Sequence, residues 1–141
     1  MKIVIAGGTG QVGTVLARKF HARGDEVVIL SRKPTTVDWR IVTWDAENLG
    51  DWQNEIDGSD VVINLAGRSV NCRYNQENRR QIMDSRVNST KVLGEAISQS
   101  KNPPKVWLQS STATIYAHRF DAPNDEITGI IDDIQPNAPS A

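Results

Sequence analysis

Apolar positions along the chain follow two spacings that alternate. Lys2 to Ala6 reads KIVIA, a short β-branched run followed at once by Gly7-Gly8-Thr9-Gly10. The pattern predicts a buried strand ending in a tight turn. From Gln11 to Arg23 the spacing becomes helical, with Val12, Val15, Leu16 and Phe20 in register and Gly24 at the C-cap position. Glu26 to Leu30 returns to the buried-strand type. Strand, glycine turn, helix and strand thus occupy Lys2 to Leu30, about the 30 residues that a βαβ crossover needs.

The same alternation continues. Arg40 to Trp44 reads as a third strand, Leu49 to Ile56 as a short helix, and Asp60 to Leu65 as a fourth strand closing in Ala66-Gly67. A long helix is predicted from Gln76 to Gln99, its apolar face drawn from Ile82, Met83, Val87, Leu93 and Ile97. Pro103-Pro104 stop it, and Lys105 to Gln109 makes a fifth strand. Buried strands alternating with helices define an α/β fold, a Rossmann-type doubly wound parallel sheet of about five strands. After Tyr116 neither period persists. The expected organisation is a dinucleotide-binding domain over residues 1–116 and an irregular acidic tail over 117–141, the start of a substrate-binding part. Since a dinucleotide fold uses about six strands in two halves, five strands lead us to expect a truncated fold.

Charge sharpens this division. The 141 residues carry 16 basic and 17 acidic side chains, but the total hides an asymmetry. Residues 1–119 hold all 16 basic residues and 12 acids, a net of +4, whereas residues 120–141 hold five acids and no base, a net of −5. The near balance argues against a nucleic-acid binder, which carries a basic excess. No apolar run approaches the roughly 18 residues of a membrane span. The chain enters its first strand directly, without a signal peptide, and the lone Cys72 forms no internal disulfide, so a reducing cytoplasm is the expected compartment. His21 and His118 have no ligand partners at metal-binding spacing, and no metal is expected.

The glycine turn carries the candidate chemistry. Gly7-Gly8-Thr9-Gly10-Gln11-Val12-Gly13 fits both G-x-G-x-x-G and G-x-x-G-x-x-G spacing between a strand and a helix. There the early glycines allow the turn, Gly10 admits a pyrophosphate, and Gly13 lets the helix pack closely on the strand. The helix start, at Gln11 and Val12, offers N–H groups and a positive dipole end to phosphates. After the second strand stand Ser31, Arg32 and Lys33, where an acid would hold a ribose 2′-hydroxyl. A hydroxyl and two cations suit a 2′-phosphate instead, so NADP is expected ahead of NAD; a solvated basic turn is the alternative. Asp45, after the third strand, is placed to accept from an adenine amino group or to cap its own loop. Leu65, Ala66 and Gly67 close the fourth strand, where small residues let a ribose or nicotinamide approach the backbone.

Three ordered stretches now carry a resemblance. The glycine turn, Asn64-Leu65-Ala66-Gly67 and Gln109-Ser110-Ser111-Thr112-Ala113-Thr114-Ile115-Tyr116 resemble the extended short-chain dehydrogenase/reductases, which include the NAD-dependent epimerases and dehydratases of nucleotide sugars. Asp84-Ser85-Arg86 adds a likeness to the atypical, epimerase-like branch. The resemblance implies hydride transfer at the nicotinamide C4, with a tyrosine moving the proton, and a small or nucleotide-sugar-like substrate. It implies that Thr112, with Ser111 beside it, hydrogen-bonds the reacting oxygen, and that Tyr116 is a structural or substrate-facing aromatic. It also implies a homodimer contact through the long helix. Two departures stand out. Tyr74 and Tyr116 are followed four residues later by Asn78 and Phe120, so the Tyr-x-x-x-Lys pair is missing from this chain, and Arg86 replaces the asparagine of many extended members. Two readings follow: the NADP-binding portion of an epimerase-like oxidoreductase, or a non-catalytic NAD(P)-binding sensor or scaffold.

Overall fold

Five strands form one wholly parallel sheet in a computed structural model that describes residues 1–33, 35–112 and 115–131. They are β1 (Lys2–Ala6), β2 (Glu26–Ser31), β3 (Arg40–Thr43), β4 (Val61–Asn64) and β5 (Val106–Gln109). Their order is β3-β2-β1-β4-β5. Chain direction across the sheet therefore reverses between β1 and β4, which is where open sheets of this kind carry a crevice. Register is continuous through the centre, with Ile5 of β1 opposite both Ile29 of β2 and Ile63 of β4.

Alternation along the strands builds two cores. Ile3, Ile5, Val27, Ile29 and Ile63 point to the face covered by α1 (Gln11–Ala22), while Val4, Ala6, Val28, Leu30 and Val62 point to the face covered by α2 (Gln76–Gln99). Trp44 and Trp52 complete the second core as an edge-to-face pair with centroids 5.3 Å apart. The three central strands, β1, β2 and β4, are thus apolar on both sides, as buried parallel strands require.

Several sequence expectations change once the packing partners are known. The short helix expected at Leu49 to Ile56 is a single 3-10 helix, Asp51–Glu55. In α1 the buried residues are Gly13 and Ala17, with Leu16 and Phe20 packed against the core, and Val12 and Val15 are exposed. A glycine and an alanine take the central line because the helix lies close on the sheet. In α2 the buried residues are Ser89, Val92, Leu93 and Ala96, whereas Met83 and Val87 stay exposed. Only the C-terminal half of α2 packs on the sheet within the first unit. β5 is exposed along its whole length.

The chain divides into two compact units, Met1–Ser110 and Ser111–Ala141. The sequence expectation sets the division after Tyr116, six residues later. Within the second unit, Tyr116 pairs with Ile131 as an isolated antiparallel bridge, and Ala117 N–H donates to the Ile130 carbonyl at 2.7 Å. The Tyr116 ring lies so close over Gly129 that a Cβ there would meet it at 2.6 Å. The part of the acidic stretch after Ile131 lies outside the described residues.

Acidic side chains tie down the amino ends of the strands. Glu55, nearly buried, receives Lys2 Nζ from β1 at 3.2 Å and an Arg40 guanidinium nitrogen from β3 at 2.6 Å. Asp60 accepts from the Lys2 backbone N–H at 2.9 Å and pairs with Lys105 at the same distance. Because the Glu55 carboxylate is the shared acceptor, Glu55→Gln is expected to cost about 1–2 kcal/mol, discounted for the solvated Arg40 end. Urea unfolding checks this. An unchanged midpoint would show that the bridge contributes nothing.

Candidate functional site

The carboxyl ends of β1, β2, β3 and β4 open into a cleft of about 670 Å³. Its size falls in the range of small-molecule and cofactor sites. Nine residues expected from sequence meet there: Gly7 and Gly10 from the glycine turn, Ser31, Arg32 and Lys33 after β2, Asp45 after β3, and Leu65, Ala66 and Gly67 after β4. Gln11 and Val12 are exposed in the first turn of α1, and Gly13 is buried beneath it. Ser111 and Thr112 belong to the second unit, where both are exposed.

The glycines of the turn serve different ends. Gly7 has φ +72°, and a Cβ there would strike Ala66 Cα at 2.8 Å, so the turn closes directly on the β4 end. A Cβ on Gly13 would run into the Gly8 backbone, within 2.6 Å of its carbonyl oxygen. Gly10 differs from both. Its Cβ would meet one atom, the Gly7 oxygen at 3.6 Å, which is ordinary contact. No contact among the described residues requires glycine at position 10, and the space a side chain would fill borders the cleft. Gly10 is also the N-cap of α1, with no side-chain cap and no acid in the first turn. The first N–H groups of the helix are therefore left as donors at its positive end.

Charge separates the two edges of the sheet. At the amino ends, Asp25, Glu55 and Asp60 pair with Met1, Lys2, Arg23, Arg40 and Lys105. At the carboxyl ends, Arg32, Lys33 and Arg68 line the cleft and none forms an ion pair among the described residues. Ser31 is buried at the base of this end, its hydroxyl accepting from Lys33 N–H at 3.3 Å and lying 3.5 Å from Thr9 Oγ1.

Two acids also line the cleft, Asp45 and Glu47. Asp45 is largely committed to its own turn. Its Oδ1 accepts from the Asn48 and Glu47 amides, each at 2.8 Å, and its Oδ2 from Asn48 Nδ2 at 2.8 Å. These bonds, the Asn48 amide foremost, hold the Asp45 carboxyl below its ordinary range. Between them Ala46 adopts φ 70°, a left-handed conformation that non-glycine residues seldom take.

Contacts that spacing did not reveal shape the β4 end. Asn64, fully buried, donates through Nδ2 to Gln109 Oε1 of β5 at 2.9 Å and accepts the Ala66 N–H on Oδ1 at 3.0 Å, which fixes the Leu65-Ala66-Gly67 segment. A polar residue closing a buried strand is the signal that marks it. Arg86 crowds Gly67: a Cβ there would lie 3.2 Å from its guanidinium carbon. The absence of a side chain at Gly67 thus makes room for Arg86, a reason the sequence reading did not supply. Arg68 and Ser85 join the cleft from 17 positions apart, and no periodicity announces their meeting.

A five-stranded parallel sheet of order 3-2-1-4-5, with a glycine turn beneath its switch-point cleft, defines a Rossmann-type α/β domain. The family model described as NAD dependent epimerase/dehydratase matches residues 3–139, and the chain belongs to that family. Human epimerase family protein SDR39U1 is 32% identical over 129 residues, covering 89% of this chain and 42% of that protein. Epimerase family protein YfhF of Bacillus subtilis is 34% identical over 119 residues, covering 82% and 39%. The crystal structure of human SDR39U1 isoform 2 with NADPH superposes with a TM-score of 0.74 at 32% identity, over 86% of this chain and 40% of that one. The chain thus spans about two fifths of the length of these relatives. No helix among the described residues is long and apolar enough to cross a membrane.

Two outcomes follow from this geometry. Gly13→Ala forces backbone apart and is expected to cost about 1–3 kcal/mol, while Gly10→Ala meets no clash and loses only the better N-cap, about 0.5–1 kcal/mol. Equal losses in chemical denaturation would refute the distinction. Because the folded Asp45 carboxyl is depressed, its contribution to stability is complete above the unfolded value near 3.8 and is lost as pH falls through the lower folded value. Asp45→Asn should remove that part of the acid-side loss, so the variant's thermal midpoint should fall less steeply than the parent's below about pH 4.

Proposed function

We propose that this chain binds NADP in the switch-point cleft and is the cofactor-binding portion of an epimerase-like short-chain oxidoreductase acting on a small or nucleotide-sugar-like substrate. The observation that carries the cofactor choice is the β2 end. Arg32 and Lys33 stand exposed on the cleft without carboxylate partners among the described residues, beside the buried Ser31 hydroxyl, where a 2′-phosphate would complete their charge. The open space in front of Gly10 and the uncapped start of α1, through Gln11, Val12 and Gly13, would hold the diphosphate. Asp45 retains lone pairs for an adenine amino group, and Leu65, Ala66 and Gly67 would bound the nicotinamide half. The NADPH in the structure of the human relative supports the same choice. When bound, the cofactor would supply hydride chemistry, with Thr112 and Ser111 as the hydroxyls offered to the reacting oxygen. The lone Cys72 suits a reducing cytoplasm, and exposed Met83 and Val87 on α2 support a homodimer contact.

Calorimetric titration with NADPH and NADH tests the cofactor assignment. NADPH is expected to bind about ten-fold or more tightly than NADH. Arg32→Ala should weaken NADPH by roughly ten-fold while changing NADH by less than about two-fold, as removal of one phosphate fork requires. Tighter NADH binding, or binding of neither, would sink the proposal.

A further inference from the structure

We propose that Arg68 is a second anion-recognising residue of the cleft, held in place by Ser85 and Arg86 of α2, and that it takes the phosphate on the nicotinamide half of the cofactor. This rests on the reading above. Arg68 stands four residues beyond Asn64, the last residue of β4, on the opposite side of β1 from Arg32 and Lys33. A dinucleotide whose 2′-phosphate lies at the β2 end and whose diphosphate lies over the start of α1 must extend toward β4. The nicotinamide-side phosphate of that diphosphate is then the anion nearest the β4 end, and it is the group there that a planar guanidinium fork matches.

The Arg68 peptide is clamped from both sides. Its N–H donates to Ser85 Oγ at 2.9 Å, and its carbonyl accepts from Arg86 Nη1 at 3.2 Å. Both clamp groups are anchored on the same turn of α2, since Ser85 Oγ and Arg86 Nη1 each donate to the Ile82 carbonyl at 3.0 Å. The Arg86 guanidinium fits there because residue 67 is glycine.

The Arg68 guanidinium is held by a neutral group. Nη2 donates to Asn78 Oδ1 at 2.7 Å, its one hydrogen bond among the described residues. Asn78 is itself fixed, its N–H donating to Asn75 Oδ1 and its Nδ2 to the Arg73 carbonyl. The neighbouring acid, Glu77, is paired with Arg80 at 2.8 Å. Arg68 therefore keeps its charge and its other donors, and the clamp removes much of the ordering cost that an incoming anion would otherwise meet.

Two ligands separate the ends of the cleft: NADPH, and adenosine 2′,5′-bisphosphate, which lacks the nicotinamide half. Arg68→Gln is expected to weaken NADPH by roughly ten-fold and to change the bisphosphate by less than about two-fold, which also reports that the variant is folded. Arg86→Met should weaken NADPH alone by about three-fold, and Arg86→Lys, which keeps a cationic donor, should restore it. If Arg68→Gln weakens both ligands alike, or leaves NADPH unchanged while the parent binds both, the assignment is overturned. A parent chain that binds neither ligand overturns the cofactor reading and this assignment with it.

Discussion

The contact of backbone on backbone at the glycine turn is the constraint on which the rest of this structure depends. Gly13 rests on Gly8, and Gly7 rests on Ala66, without room for a Cβ at either contact. The first brings the start of α1 down onto the end of β1. The second draws the β4 end against the same turn. Between them they bring β1, α1 and β4 together at one point of the sheet edge, and the cleft opens there. A side chain at the first contact would make the helix stand off, and one at the second would push the β4 end away from the turn. Packing and site geometry thus share one cause.

That cause was legible in the sequence because it is local. KIVIA followed by the glycine cluster and a helical period specifies strand, turn and helix from about 20 consecutive residues, and the two buried faces of the central strands follow from continuous β-branched runs. What was less legible depends on partners far along the chain. Val12 and Val15 are apolar and fall at helical spacing, yet the sheet meets α1 through Gly13 and Ala17, because close approach selects small residues over large ones. Met83 and Val87 likewise belong to the half of α2 that runs beyond its packing contact. Leu49 to Ile56 shows a helical pattern that reduces to one 3-10 helix, where Trp52 and Ile56 enter the core and Glu55 is drawn to the strand starts.

The same difference between local and distant information divides the candidate site. Residues next to strand ends were readable, since each strand ends in a recognisable way: glycines after β1, a hydroxyl and two cations after β2, small residues after β4. The residues that hold those ends were visible as members of motifs, but the contacts by which they hold them were not. Asn64 links β4 to β5 and to the Ala66 amide, and Arg86 occupies the space beside Gly67; both act across contacts that sequence spacing does not encode. Asp45 shows a subtler case. Position alone marks it as an acceptor for a ligand, whereas its hydrogen bonds first make it the cap of its own turn.

The distribution of ion pairs then separates a structural edge from a binding edge. Cations at the amino ends of the strands already have acidic partners, so an incoming anion would have to displace a carboxylate to use them. At the carboxyl ends the cations Arg32, Lys33 and Arg68 lack such partners among the described residues. Leaving them so costs little while they are solvated, because exposed like charges are screened over about 10 Å. Their attraction strengthens when a ligand excludes water from the cleft, so the free energy appears on binding and not on folding. The sheet also sets the shape of what can be held. β2 and β4 flank β1 at about 4.8 Å per step, so cations beyond their ends stand on the order of 10 Å apart or more. A compact anion reaches one of them; only an extended molecule with negative charge along its length reaches both.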